Sequence, residues 1–133
     1  MVNISTQYTG NLHCELTHGP SGTIIQTDAP KDNMGLGEAF SPTDLVAAAL
    51  SSCILTTMAI VAKRDGIKFE GAHSEITKEM TTTSPRRIAK LTLKITLPKD
   101  LTAEQSEKLK KIATHCPVHH SLHPDVIVQS EFV

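Results

Sequence analysis

The sequence predicts an α+β fold in which antiparallel sheets surround a long, buried central helix. Two patterns carry that expectation. Leu45 to Ala62 runs without a charge, and apolar residues all around a helix call for cover on most of its sides. Outside that run, apolar and polar residues alternate at period two. The alternation is cleanest from Ile88 to Leu97, where Ala89, Leu91, Leu93, Ile95 and Leu97 oppose Lys90, Thr92, Lys94 and Thr96. One dry face and one wet face suit an antiparallel sheet. The 133 residues are read as a single domain spanning 1–133, long enough to bury its own core.

Taken in order, Val2, Ile4, Thr6 and Tyr8 alternate with polar neighbours as a first strand, and Gly10-Asn11 signals a turn. Leu12, Cys14 and Leu16 make a second strand, the loop His18 to Gly22 follows, and Thr23 to Thr27 is a third strand. Cys14 shares a face with two leucines and reads as a small core residue. Residues 28–40 contain Pro30, Gly35 and Gly37 with little periodicity. A loop of that kind is either a connector or a functional segment, and its end brings Glu38 and Phe40 toward the start of the central helix.

Ser41 is the N-cap of that helix, Pro42 fits its first position, and Asp44 stands where a capping box and the helix dipole favour an acid. Lys63 and Arg64 suit the C-terminal end, and Gly66 is the stop signal. Residues 72–83 form a polar edge strand, Ser84-Pro85-Arg86 a turn, and Ile88 to Leu97 the second arm of a hairpin. Thr102 and Gln105 make a capping box for a helix whose Leu109, Ile112, Ala113 and Cys116 share one stripe. Pro117 interrupts it and opens a short helix to about Leu122, with Cys116 as the cap. Val126 to Val133 closes the chain as a strand.

Composition narrows the functional classes. Thirteen basic residues against fourteen acidic ones, with no Trp, one Tyr and three Phe, supply neither a basic field nor stacking platforms for nucleic acid. The charge-free run is as long as a membrane span. Its Ser51, Ser52, Thr56, Thr57 and alanines favour close packing on a second helix instead, so no membrane role is expected. The opening residues lack the pattern of a secretion signal. An odd set of three cysteines fits a reducing cytoplasm better than a disulfide-stapled secreted domain.

The chemistry centres on two cysteines. At a helix N-terminus, Cys116 meets free N–H groups and the dipole, which lower a thiol pKa, and His115, His119 and His120 stand nearby. Cys53 lies mid-helix, where burial raises the pKa and reaction needs a partner group. If the two helices pack together, these inward-facing cysteines can meet as a redox pair. Cys116 and His119 also have C-x-x-H spacing suited to zinc. A closed site needs four ligands, however, and no second such pair exists, so no metal is expected.

The stretches SPTDLVAAALSSC, ending in Cys53, and HCPVHHSL, containing Cys116, together resemble the OsmC/Ohr family (osmotically inducible protein C and organic hydroperoxide resistance proteins). SPRRIAKLTL between them matches too. The resemblance implies an OsmC-like fold and an intertwined homodimer. It also implies cysteine-dependent reduction of organic hydroperoxides to alcohols, with Cys53 peroxidatic and Cys116 resolving. No cofactor is implied beyond an external dithiol reductant, lipoyl-type or a small thiol. The family's peroxide-reducing members activate the first cysteine with an N-terminal arginine and a glutamate near the helix start. This chain has no arginine before Arg64, and Thr43 stands at the glutamate's motif position. It is therefore similar to the broader OsmC-like branch. Glu38, Thr43, Asp44 and His115 are the residues at hand to activate Cys53 or line its pocket, and Lys31 or Arg87 the available cations. A non-catalytic thiol redox sensor or small-ligand-binding stress protein is the alternative.

Overall fold

Strands β1 (Ile4–Gly10), β2 (His13–His18) and β3 (Ile24–Asp28) form an antiparallel meander in that order, in a computed structural model that describes all 133 residues. This sheet belongs to a compact unit, Met1–Val46, and the rest of the chain, Ala47–Val133, forms a second. Gly10, Asn11 and Leu12 turn β1 into β2 with positive φ angles of 96°, 53° and 64°, beside a register shift between Tyr8 and Gly10. Cys14 is half-buried, not core.

The loop that follows is more than a connector. A 3₁₀ turn, Lys31–Asn33, is held by the N–H groups of Asn33 and Gly35 donating to the Pro30 carbonyl at 2.9 and 3.0 Å. The Asp28 N–H donates to the Phe40 carbonyl at 3.1 Å, clamping the two ends of the loop together. At Gly35 a Cβ would lie 1.6 Å from the Ala29 carbonyl oxygen, so only glycine lets the two backbones approach this closely. At the loop's end the predicted capping box is present. Ser41 N–H donates to Asp44 Oδ2 at 2.9 Å, and Asp44 N–H to Ser41 Oγ at 3.1 Å. What this unit buries is polar: Thr27, Asp28 and Ser41. Ile4, Tyr8 and Ile24 remain 63%, 63% and 55% exposed, so the sheet has no apolar core of its own.

Helix α1 runs from Pro42 to Arg64. It is long and apolar enough to cross a membrane, yet Leu50 and Met58 have no exposed surface and act as core residues. Within the single chain the expected cover is partial. Within the chain α1 buries one stripe, Ala47, Leu50, Ile54, Met58, Val61 and Ala62, at the three- and four-residue spacing of a single face. Ala49, Ser52, Thr56 and Ile60 stay exposed. A helix apolar all round offers more surface than one small unit can cover.

The second sheet has the order β4 (His73–Met80), β5 (Ile88–Thr96), β6 (Ile127–Phe132). β4 and β5 form the predicted antiparallel hairpin, but β6 pairs parallel to β5, from Lys90↔Ile127 to Ile95↔Phe132. This sheet is therefore mixed where a purely antiparallel one was expected. The physical reason is the crossover between β5 and β6, whose helices return the chain in its original direction. In the central strand, Leu91, Leu93 and Ile95 are fully buried as their alternation predicts. A register shift at Glu79/Met80 puts Ile88, in place of Ala89, among the buried residues.

The crossover consists of α2 (Ala103–Ile112), with the predicted Thr102–Gln105 capping box, and α3 (Pro117–Ser121), capped by Cys116. Lys108 on α2 pairs with Asp65 just past α1 and holds its carboxyl below the usual carboxylate range. The Arg87 guanidinium is engaged by the carbonyls of Ile88 and Asp125 at 3.1 and 3.4 Å, so it braces backbone instead of serving as a free cation.

Candidate functional site

Cys53 lies at the middle of α1, next to Ile54 of the buried stripe, and is only half-buried. The Thr57 hydroxyl donates to its carbonyl at 2.8 Å. Cys116 has no exposed surface. Its Sγ accepts the His119 N–H at 3.3 Å, in the N-cap position that Pro117 predicts. The fold brings the two near each other, close enough for the Cys53 sulfur to act on the Cys116 thiol, and both cysteines are free.

The electrostatics reverse one expectation. Burial pushes the Cys116 thiol above its ordinary value and outweighs the N–H groups of His119 and Val118, which act the other way. The neighbouring Cys53 sulfur adds to the rise, because negative charge upon it favours the protonated form of Cys116. The capping geometry was predicted correctly, but desolvation beats it.

A stability prediction follows. Above the ordinary thiol value of 9.0, the unfolded chain releases the Cys116 proton while the folded chain keeps it. The unfolded state then binds fewer protons, so stability falls as pH rises. Urea unfolding between about pH 8 and 10.5 is expected to show a decline that Cys116→Ala makes shallower. Parallel pH profiles for parent and variant would rule the effect out.

The remaining sequence candidates do other work. His115 is exposed, and its Nδ1 bonds the Lys111 carbonyl at 2.9 Å. His119 Nδ1 bonds the Thr114 carbonyl at 3.0 Å. Both rings satisfy carbonyls left open at the end of α2. A cavity of about 220 Å³ is lined by Ile54, Ala113, His119, Val128 and Phe132 among others. In the N-terminal unit, Thr43 Oγ1 lies 3.1 Å from Ser41 Oγ, and Asp44 completes the helix cap.

Glu38 faces His13, its Oε2 at 3.8 Å from Nε2, while His13 Nδ1 lies 3.6 Å from Asp28 Oδ1. Sequence reasoning missed His13 and Asp28. Their one sequence-level signal is a polar residue at each end of facing strands, and only the β2–β3 register makes them partners.

Residues 35–131 match the family model described as OsmC-like protein. No curated protein sequence matches the chain. A solved structure of an osmotic stress induced and detoxification response protein from Psychrobacter arcticus is 38% identical. Its TM-score is 0.93, covering 100% of this chain and 96% of that one. The organic hydroperoxide resistance protein OhrB of Bacillus subtilis is 20% identical, with a TM-score of 0.74 over 100% and 98% of the two chains. An OsmC-like protein of unknown function from Vibrio cholerae is 15% identical, with a TM-score of 0.83 over 100% and 99%. The last two likenesses are of fold alone.

Proposed function

This chain belongs to the OsmC-like protein family, and on that premise we propose that it is a thiol-dependent reductase of organic hydroperoxides, working as a cytoplasmic homodimer. The observation that carries the reading is the proximity of Cys53 to Cys116, close enough for one sulfur to act on the other. Exposure separates their roles: peroxide can reach half-buried Cys53, whereas Cys116 is closed off. The Cys53 thiolate attacks one peroxide oxygen, the O–O bond breaks, and the other oxygen takes a proton and leaves as alcohol. Cys53 is now a sulfenic acid. The Cys116 sulfur then displaces its hydroxyl, which departs as water with the Cys116 proton, and the S–S bond forms. An external dithiol returns two electrons and two protons and is itself oxidised to a disulfide.

The test is peptide mapping after one equivalent of an organic hydroperoxide. The expected product is a Cys53–Cys116 disulfide with Cys14 still a thiol. Cys53 persisting as thiol under excess peroxide, while Cys116 oxidises or pairs with Cys14, would reverse the assignment. A second reading, a thiol sensor, is favoured by the missing N-terminal arginine and by the engagement of Arg87 with backbone. It requires oxidation of the pair without sustained turnover on a lipoyl-type dithiol.

A further inference from the structure

We propose that His13, Asp28 and Glu38 form a binding site for a divalent transition-metal ion. The site is built by the fold of the N-terminal unit. His13 and Asp28 are directly opposed in the β2–β3 register. Glu38 is fixed to Asp28 through its own backbone, its N–H donating to Asp28 Oδ2 at 2.9 Å. The loop that delivers it is closed by the Gly37 N–H to Ala29 carbonyl bond of 3.2 Å and by the tight approach at Gly35. One ligand-type atom from each of the three side chains lies within 4.8 Å of the others.

A second observation points to a ligand. Asp28 is 0% exposed, and its Oδ1 is buried without a hydrogen-bond partner. That oxygen faces His13 Nδ1 at 3.6 Å, too far for a hydrogen bond. Buried carboxylate oxygens are ordinarily paired or ligate metals. The imidazole stands between two carboxylates, and a neutral ring has one N–H, so it can serve only one of them. A divalent cation neutralises both acids, takes the orphaned oxygen and uses one ring nitrogen.

The geometry needs little adjustment. With metal–ligand distances of about 2.1 Å, two ligands of one ion are separated by at most about 4.2 Å. Glu38, whose side chain is 64% exposed, is free to swing inward by the remainder. One imidazole nitrogen and two carboxylate oxygens suit zinc, manganese, iron(II) or cobalt better than a soft thiolate-seeking ion. Three protein ligands with a solvent-facing Glu38 also leave a coordination position open to water or a small ligand, as in reactive sites.

The test is titration of chelator-treated, thiol-reduced, full-length protein with Co²⁺, followed by its visible absorption bands, and separately with Mn²⁺ and Zn²⁺ by calorimetry. One equivalent of Co²⁺ per chain is expected. His13→Ala and Glu38→Gln should each weaken binding at least about tenfold, with far-UV circular dichroism confirming that the variants remain folded. Glu38→Gln is the safer of the two, because the side chain is exposed. The Cys53→Ser/Cys116→Ser double variant should bind as the parent does. Failure of folded protein to take up any of the three ions stoichiometrically would leave only a histidine–carboxylate network and overturn the proposal. So would binding that survives both His13→Ala and Glu38→Gln, or that disappears with the sulfurs.

Discussion

Cys53→Ser is expected to reduce hydroperoxide consumption to the uncatalysed background. A serine hydroxyl is not ionised at neutral pH, and nothing on α1 around it acts as a base: Thr57, one turn on, directs its hydroxyl to the Cys53 carbonyl. Of the two thiols left behind, Cys14 lies on β2, outside the pair, and Cys116 has no exposed surface and holds its proton more tightly than an ordinary thiol. It is thus a poor nucleophile in a place peroxide does not reach. Cys116→Ser has a different signature. One equivalent of peroxide is still consumed, sulfenic acid accumulates on Cys53, and excess peroxide drives it to sulfinic acid because its neighbouring thiol is gone. Direct peroxide assay, with sulfenate trapping and intact-mass measurement, distinguishes the two variants. Near-parental turnover by Cys53→Ser would remove the peroxidase reading altogether.

The second large effect concerns assembly: the chain is expected to populate no stable folded monomer. The N-terminal unit buries only Thr27, Asp28 and Ser41, while Ile4, Tyr8 and Ile24 of its sheet stay more than half exposed. A sheet of this size needs an apolar face packed on something to be stable. α1 presents the same need, since Ile60 is 64% exposed on the face opposite its buried stripe. A second copy of the chain would supply cover for both, and an interface of that kind is large and apolar, on the order of 2,000 Å² or more. Light scattering at micromolar concentration should give twice the 14.4 kDa chain mass, and the unfolding midpoint should rise with protein concentration. Ile60→Glu should lower it and weaken the dimer. A monodisperse 14.4 kDa species with a concentration-independent midpoint would reject the dimer.

What the sequence made legible was local. The caps at Ser41 and Thr102, the Pro117 break that makes Cys116 an N-cap, and the alternation along β5 each depend on residues a few positions apart. Each is present as predicted, except that the shift at Glu79/Met80 buries Ile88 in place of Ala89 at the start of β5. What stayed hidden was non-local. The parallel pairing of β6 with β5 depends on where the α2–α3 crossover sets the chain down, which no period reveals. His13, Asp28 and Glu38 meet only through a strand register and a clamped loop. For Cys116 the sign of the pKa shift was missed because its N-cap position is written in Pro117, whereas its complete burial is a property of the packed fold. The partial cover of α1 is likewise a property of surface area, not of pattern.

The enclosure of Cys116 bears on regeneration as well as oxidation. In a Cys53–Cys116 disulfide, an incoming thiolate can approach only the sulfur that solvent reaches, which is that of half-buried Cys53. Cys116 must then be the leaving group, and a thiol with a raised pKa leaves slowly as an anion. Its departure is easiest when a proton arrives with the electrons. In the proposed cycle, recycling would therefore depend on proton delivery into a closed space as well as on the strength of the reductant.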